Sequence, residues 1–259
     1  MSLHTDIHDA ADVLKGAGLI AVLSGAGMSK ESGVPTFREA QTGLWEQYSP
    51  EELATPQAFR RNPNLVWRWY MWRLDLVTRA QPNPGHRAVA ELESMVRGLV
   101  VLTQNVDGMH QRAGSKDVVE LHGNLTRFKC GRDCRGAPTL VDLNTLSHNQ
   151  EHAPVCPHCG VGLVRPDVVW FGETLPARAL ERAVEVAAAC DVMLVIGTSG
   201  AVYPAAGLPH EAKRHGAYVI EVNPQPSAIT ALADLYLGGP AGVVLPDVIA
   251  AIRGGSDEV

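Results

Sequence analysis

Four of the five cysteines stand in two close pairs, a spacing typical of a structural zinc site. Cys130 and Cys134 form the first pair, and Cys156 and Cys159 form the second. Two pairs separated by roughly 15–20 residues or slightly more are typical of a four-thiolate zinc ribbon. Because four thiolates leave no coordination position for water, we expect this zinc to stabilise the fold. The remaining cysteine, Cys190, precedes a predicted strand and is expected to be a small core residue.

A glycine-rich turn follows the first apolar segment of the chain. Gly25 and Gly27 come directly after that segment, and Ser29 follows them. Glycines at a strand-to-helix turn allow backbone N–H groups to approach a pyrophosphate. The next glycine, Gly33, comes too late for the usual dinucleotide-binding spacing, and no acidic residue stands clearly where the ribose would need one. This disfavours a hydride-transfer dehydrogenase, and the segment alone is equally compatible with an ordinary turn.

Polar residues follow another apolar segment. Gln104, Asn105 and Asp107 come just after it, and His122 lies a short distance further on. One such residue alone is more often a helix cap or a hydrogen-bonded core group. Together, at strand ends that face one crevice, they favour ligand binding and proton transfer.

Short apolar segments alternate with amphipathic ones along the chain. Four segments have the composition of buried parallel strands: Leu19–Leu23, Leu99–Leu102, Val192–Ile196 and Tyr218–Val222. Helical periodicity is clear in His86–Arg97 and Ala177–Ala189. Alternating strands and helices predict an α/β fold with a parallel sheet covered on both faces. Ligands of such sheets bind beyond the carboxyl ends of the strands.

Two stretches interrupt this alternation and predict a second, smaller domain. We assign residues 1–34, 81–127 and 163–259 to the larger domain, and residues 35–80 and 128–162 to the smaller one. The first of the two interrupting stretches is loop-like and then helical and aromatic, and the second carries the paired cysteines.

Composition and charge exclude several classes of protein. Hydrophobic residues make up 46% of the 259 residues and charged residues 19%, which excludes wholesale disorder. The formal net charge of −6 disfavours nucleic acid and anionic membranes as partners. A zinc-ribbon nucleic-acid binder using Lys129, Arg132 and Arg135 is therefore a weaker alternative. No apolar run reaches the ~18 residues of a membrane span, and no signal or transit peptide is recognisable, so we expect a cytoplasmic protein.

Taken in order, these motifs resemble those of the sirtuin family. The resemblance runs from about Asp9 to Ile252 and includes the glycine turn, Thr103–Asp107, the cysteine pairs and Gly197–Ser199. It implies a Rossmann-like parallel-sheet domain with a smaller inserted zinc-ribbon and helical domain. It also implies NAD-dependent removal of acyl groups from lysines of proteins or peptides, with NAD as co-substrate and one structural Zn²⁺. The products would be nicotinamide and O-acyl-ADP-ribose.

The resemblance also implies roles for individual residues. His122 would be the catalytic base, and the acyl-lysine peptide would bind as an extended strand along Val168, Trp170, Phe171 and Gly172. The implied NAD-binding residues are Gly25, Ala26, Gly27, Ser29, Glu31, Pro35, Thr36, Phe37, Arg38, Trp45, Gln104, Asn105, Val106, Asp107, Gly197, Thr198, Ser199, Asn223, Pro224, Gln225 and Ala241. The segment Glu39–Trp45 looks one residue longer than is usual in the family.

One pair refines the expected substrate. Tyr70 and Arg73 are three residues apart, so they share a helix face. The sirtuin branch that removes succinyl and malonyl groups has this Tyr-x-x-Arg pattern in this segment. A phenol beside a guanidinium can hold a carboxylate. We therefore expect desuccinylase or demalonylase activity, with some deacetylation. The alternatives are a plain deacetylase, an enzyme that removes long lipid acyl chains, and a protein ADP-ribosyltransferase of the same fold.

Overall fold

A six-stranded parallel sheet lies at the centre of the protein in this computed structural model, which describes residues 3–35, 46–147 and 149–254. In sheet order its strands are β3 (Val118–Glu120), β2 (Leu99–Thr103), β1 (Ile20–Ser24), β7 (Val192–Ile196), β8 (Tyr218–Asn223) and β9 (Leu235–Gly238). The four predicted strands are confirmed to within a residue at each end. The two short edge strands, β3 and β9, were not predicted from the sequence.

Helices cover both faces of this sheet. On one face lie α1 (Leu3–Gly16), α6 (Pro84–Met95) and α10 (Ala241–Gly254), and on the other lie α8 (Ala177–Ala189) and α9 (Leu208–Arg214). Alternate residues of β1 supply the two cores: Ile20 and Val22 pack on the first face, and Ala21 and Leu23 on the second. A strand buried on both faces needs this continuous apolar sequence.

A second sheet carries the cysteines. It is antiparallel, with the order β5 (Leu140–Val141), β4 (Gly123–Cys130) and β6 (Val164–Val168). Its core also includes residues of α3 (Pro50–Leu53), α4 (Pro56–Arg61) and α5 (Pro63–Arg79). The rings of Trp67 and Phe128 lie 5.7 Å apart in this core. β4 begins before residue 128 and β6 lies wholly after residue 162, so the domain division given above stays a prediction.

The carboxyl ends of the central strands lie at one level. In the parallel register, Ser24 of β1 is opposite Thr103 of β2 and Ile196 of β7. The residues that follow these strands therefore emerge together at one edge. The short helices α2 (Gly27–Lys30) and α7 (Met109–Ala113) also begin at this edge. None of the helices in the described ranges is long and apolar enough to cross a membrane.

The turns after β1 and β7 lie in direct backbone contact. The N–H of Gly27 donates to the carbonyl of Gly197 at 2.8 Å, and the N–H of Gly25 donates to that of Ile196 at 2.9 Å. Gly197 has a φ of +58°, and a Cβ there would lie 2.4 Å from the backbone nitrogen of Met28. Both the conformation and the close approach require glycine at this position.

Gly197→Ala should therefore destabilise the protein more than its backbone conformation alone explains. We expect the free energy of unfolding to fall by about 2–4 kcal/mol, because the strain of the left-handed backbone and the clash with the Met28 backbone both contribute. Gly216→Ala is the matched control, because Gly216 has a φ of +92° and a Cβ placed there would meet nothing within 4 Å. The control should lose about 1–2 kcal/mol. Urea unfolding measures both, and equal losses would show that the two turns do not need this contact.

Candidate active site and metal centre

A buried polar network lies beneath the glycine turn. Ser29 Oγ donates to Asp107 Oδ2 at 2.7 Å, and Asn105 Nδ2 donates to Ser29 Oγ at 3.1 Å and to the Gly25 carbonyl at 3.0 Å. The second oxygen of Asp107 accepts the N–H of Met109 at 3.0 Å. The structure thus brings together Ser29, Asn105 and Asp107, three residues that the sequence predicted for one site. Their roles remain predictions.

Two buried histidines border this network, and sequence reasoning missed both. His86 Nε2 lies 3.4 Å from Ser29 Oγ, and His110 Nε2 lies 2.8 Å from Ser24 Oγ. Burial lowers the pKa of His86 to about 4 and that of His110 to about 3, and the neighbouring His86 contributes to the second shift. Both imidazoles are therefore neutral at physiological pH. The one sequence signal nearby is Asn83, whose side chain caps the helix that carries His86.

Side chains from separate strands meet above the glycine turn. Gln104 Nε2, after β2, donates to Thr198 Oγ1, after β7, at 3.1 Å. Asn223 Nδ2, at the end of β8, donates to the Thr198 carbonyl at 2.9 Å. Hydrogen bonds thus link Gln104, Thr198 and Asn223 along the carboxyl ends of β2, β7 and β8, the edge at which a ligand is predicted to bind.

His122 follows β3 and lies at the side of this crevice. Its Nδ1 is 3.0 Å from the backbone carbonyl of Gln104. Since a carbonyl only accepts hydrogen bonds, this contact places the proton on Nδ1 and leaves the Nε2 lone pair available. Burial lowers the pKa of His122 below its usual value, and the Gln104 carbonyl partly opposes that shift. His122 is therefore a neutral base at neutral pH.

The segment after β6 runs past His122 towards solvent. The N–H of Val169 donates to the His122 carbonyl at 2.9 Å, and the N–H of Phe171 donates to the Ala54 carbonyl at 2.9 Å. Trp170 is buried, whereas the Phe171 side chain is 54% exposed. Gly172 has a φ of +85°, which turns the chain back. This segment forms a wall beside the base with an exposed aromatic ring at its edge.

A partly buried ion pair fixes that wall, and it was not predicted from the sequence. Arg165 donates two hydrogen bonds to Glu173, at 2.6 and 2.9 Å, and a third to the Val168 carbonyl at 2.7 Å. Its guanidinium carbon lies 3.2 Å from the centre of the Trp170 ring. Burial opposes ionisation of Glu173, but the hydrogen bonds and charge of Arg165 hold the pKa of Glu173 below its usual range.

Tyr70 and Arg73 lie on α5, which contacts the wall through Tyr70. The indole N–H of Trp170 donates to Tyr70 Oη at 2.9 Å, so the tyrosine hydroxyl hydrogen remains able to donate elsewhere. Burial raises the pKa of Tyr70 and lowers that of Arg73, and the nearby charge of Asp107 partly opposes the shift of Arg73. The structure thus places the predicted pair between the wall and the polar network.

Other predicted NAD-binding residues lie around the rim of the crevice. Glu31 accepts the N–H of Gly242 at 2.7 Å, which places it beside Ala241 at the start of α10. Ala26, Ser199, Pro224 and Gln225 are exposed, and Pro35 and Val106 are half-buried. The predicted residues Thr36, Phe37, Arg38 and Trp45, with the segment Glu39–Trp45, lie outside the described residues.

The four paired cysteines converge on one point. Cys130 Sγ and Cys159 Sγ are 3.9 Å apart, Cys134 Sγ and Cys156 Sγ are 4.0 Å apart, and all four sulfurs lie within 4.8 Å of one another. A tetrahedral zinc with Zn–S bonds of about 2.3 Å needs sulfurs about 3.8 Å apart.

Backbone N–H groups also point at three of these sulfurs. Arg132 donates to Cys130 at 3.4 Å, His158 donates to Cys156 at 3.4 Å, and Gly162 donates to Cys159 at 3.3 Å. Such donors stabilise thiolates, which are the form that zinc binds. The residues present therefore fit a structural zinc ion.

These features define a class of protein: a nucleotide-binding α/β fold whose second unit is built around a four-cysteine metal centre. Comparison with known proteins makes the assignment specific. A sequence model described as the Sir2 family matches residues 25–204. The chain is 55% identical over 247 residues to the NAD-dependent protein deacylase 2 of Pyrobaculum aerophilum, and 95% of each chain is covered.

Solved structures agree with that match. A complex of a Sir2 homolog with NAD superimposes with a TM-score of 0.86 at 42% identity, covering 95% of this chain and 94% of the other. Sir2Af2 bound to a myristoylated histone peptide superimposes with a TM-score of 0.78 at 37% identity, covering 98% of this chain and 99% of the other. The chain belongs to the Sir2 family.

Cys156→Ala should release the metal and destabilise the fold together, because binding of a structural zinc contributes directly to folding. We expect one zinc per wild-type chain by elemental analysis, and substantially less in the variant together with a lower melting temperature. Cys190→Ala is the matched control, since this buried cysteine lies apart from the four-cysteine centre. The control should keep its zinc. A Cys156→Ala protein with wild-type stability and no metal would contradict a structural role.

Proposed function

We propose a role for each part of the crevice in NAD-dependent lysine deacylation, the activity supported by Sir2 family membership and by deacylase relatives at about half identity. The observation that carries the proposal is His122. Its proton is held on Nδ1 by the Gln104 carbonyl, and its Nε2 is left as a base between the nucleotide crevice and the wall after β6.

The crevice has the donors and acceptors that NAD requires. The turn Gly25–Gly27 would hold the pyrophosphate, Asn105 and Asp107 the nicotinamide ribose side, and Thr198 and Asn223 the adenosine half. When bound, NAD supplies the ADP-ribose that accepts the acyl group, with nicotinamide as the leaving group. The backbone contact between the two turns and the hydrogen bonds of Asn105 preorganise this surface before any ligand arrives.

His122 acts as the general base in this proposal. Its Nε2 accepts a proton from a ribose hydroxyl of the co-substrate. The imidazolium that results keeps its Nδ1–H bond to the Gln104 carbonyl, which stabilises the added charge. The two buried neutral histidines below add no competing positive charge.

The wall after β6 binds the acyl-lysine peptide. Residues Val168–Gly172 would pair with the peptide as an extended strand, with main-chain hydrogen bonds giving affinity. Phe171 supplies an exposed apolar surface at the mouth of the site. A histone peptide bound to the Sir2Af2 neighbour is consistent with a substrate of this class.

Tyr70 and Arg73 select an acyl group that ends in a carboxylate. The Tyr70 hydroxyl already accepts from Trp170, so its hydrogen is available for an acceptor on the acyl group. Arg73, half-buried on the same helix face, supplies a charge that a carboxylate matches. Succinyl and malonyl groups carry such a carboxylate and acetyl does not. The myristoylated peptide on Sir2Af2 makes long acyl chains the second candidate.

His122→Ala should reduce deacylation by about 10²–10⁴-fold while the fold and the zinc persist, as expected for loss of a general base. Protonation of Nε2 removes the base, and the pKa of His122 lies below its usual value. As the pH is lowered, wild-type kcat/KM should therefore begin to decrease only below about pH 6.5, and it should be independent of pH just above that value.

The matched control for this substitution is His210→Ala, which alters an exposed histidine on α9. It should leave both rate and pH profile unchanged. Near wild-type turnover in His122→Ala would overturn the assignment of the base.

Arg73→Met should discriminate between acyl groups. A charge-assisted hydrogen bond contributes ~1.5–3 kcal/mol, so KM for a succinyl-lysine peptide should rise about ten- to a hundredfold. Turnover of the matching acetyl-lysine peptide should be unchanged or improved. Arg68→Met is the control, because Arg68 is an exposed residue of the same helix that pairs with Glu151.

A peptide panel with acetyl, succinyl, malonyl and myristoyl groups, read by mass spectrometry, completes this test. If Arg73→Met lowered kcat/KM equally for the succinyl and acetyl peptides, Arg73 would have a structural role and not a role in acyl selection. Wild-type preference for myristoyl would favour the second candidate, and gain of an ADP-ribosyl mass would indicate transfer to the peptide instead.

A further inference from the structure

A buried carboxylate in β8 has no role in the chemistry described above. Glu221 is 0% exposed, and it lies between β7 and β9, opposite Val195 and Tyr236. Its side-chain partners among the described residues are uncharged donors. Ser227 Oγ donates at 2.5 Å, Thr230 Oγ1 at 2.5 Å and Asn223 Nδ2 at 3.3 Å. A buried carboxylate without a cation is costly unless several donors satisfy it.

Two of these donors belong to the loop that follows β8. Within that loop, Ser227 Oγ accepts the N–H of Ile229 at 3.0 Å, and Thr230 Oγ1 accepts the N–H of Ser227 at 2.8 Å. The loop in turn packs against the turn after β7, where the N–H of Ala228 donates to the Ser199 carbonyl. Glu221, inside the sheet, therefore holds the loop in place by hydrogen bonds to Ser227 and Thr230, and the loop packs against the turn after β7.

The third donor is Asn223, a predicted contact of the adenosine half of NAD. One N–H of its amide is directed at the Thr198 carbonyl and the other at Glu221 Oε1. Both of these partners only accept hydrogen bonds, so the amide nitrogen must face them. The Asn223 backbone carbonyl is also held, since it accepts from Tyr236 Oη at 2.8 Å. The amide oxygen of Asn223 is thereby left to accept a hydrogen bond from a ligand.

We propose that Glu221 is a positioning residue for the adenosine half of NAD: it orients the Asn223 amide so that Oδ1 accepts from a ribose hydroxyl, and it holds the loop 224–230 against the crevice. This inference rests on the proposed NAD-dependent function. Glu221 does not touch the ligand, and it acts through Asn223, Ser227 and Thr230.

The test is binding of ADP-ribose by titration calorimetry, alongside steady-state kinetics. Glu221→Leu removes the acceptor at similar size, and its Kd for ADP-ribose and KM for NAD should each rise about tenfold. At saturating NAD, kcat and the KM for the peptide should stay within about twofold of wild type. Glu221→Gln keeps an oxygen for Asn223, while the Thr230 hydroxyl can accept from the new amide. It should bind ADP-ribose like wild type.

Val219→Ala is the matched control for stability. Val219 is fully buried in the core on the same strand and the same face, but its side chain offers no hydrogen-bond acceptor to the loop. It should lower the melting temperature without changing the Kd for ADP-ribose. Should Glu221→Leu not fold, Ser227→Ala combined with Thr230→Val removes the loop donors from the other side and should raise the same Kd severalfold.

NAD analogues lacking the 2′- or 3′-hydroxyl of the adenosine ribose test the orientation of Asn223. Wild type should bind at least one analogue about tenfold more weakly than NAD, and Glu221→Leu should bind that analogue and NAD alike. Unchanged ADP-ribose binding in Glu221→Leu, or equal losses in Glu221→Gln and Glu221→Leu, would overturn the proposal. A wild-type chain that neither binds ADP-ribose nor deacylates peptides would instead overturn the proposed function.

Discussion

The backbone contact between the turns after β1 and β7 is the constraint on which the site depends. Gly27 donates to the Gly197 carbonyl, and no side chain fits between them. Because the turns are in contact, Gln104 can reach Thr198 across the end of β1, and Thr198 can hold Asn223. The ends of these strands are thus held together by main-chain hydrogen bonds between the turns and by side-chain hydrogen bonds across them.

The second core adds to this edge the wall after β6, which is proposed to bind the peptide. Its connection to the crevice is also made by the main chain, through Val169 and the His122 carbonyl. The Arg165–Glu173 pair locks Trp170, and Trp170 in turn directs the Tyr70 hydroxyl. The four-cysteine centre lies at the far end of β4 from Gly123, where a zinc ion would stabilise this unit without contacting reactants.

The sequence predicted features whose signal is local and missed those that depend on distant partners. The four-cysteine centre and the central strands follow from spacing and continuous apolar runs, and both are confirmed. Strands β3 and β9 have three and four residues, too few for periodicity to register. Glu221 and His86 look like isolated polar residues in sequence, because the groups that surround them come from other elements. The placement of such residues needs the fold.

Carboxylates near the strand ends are stabilised in two different ways, by neutral hydrogen-bond donors or by an ion pair. Among the described residues, Glu221 accepts its side-chain hydrogen bonds from neutral N–H and O–H donors, whereas Glu173 is paired with Arg165. The Arg165–Glu173 ion pair holds the wall after β6 in one arrangement, with Arg165 packed against the Trp170 ring. A carboxylate held by neutral donors, such as Glu221, orients an amide and hydroxyls without placing a positive charge beside them. His86 and His110 are neutral as well, so these two imidazoles add no positive charge to the polar network beneath the glycine turn.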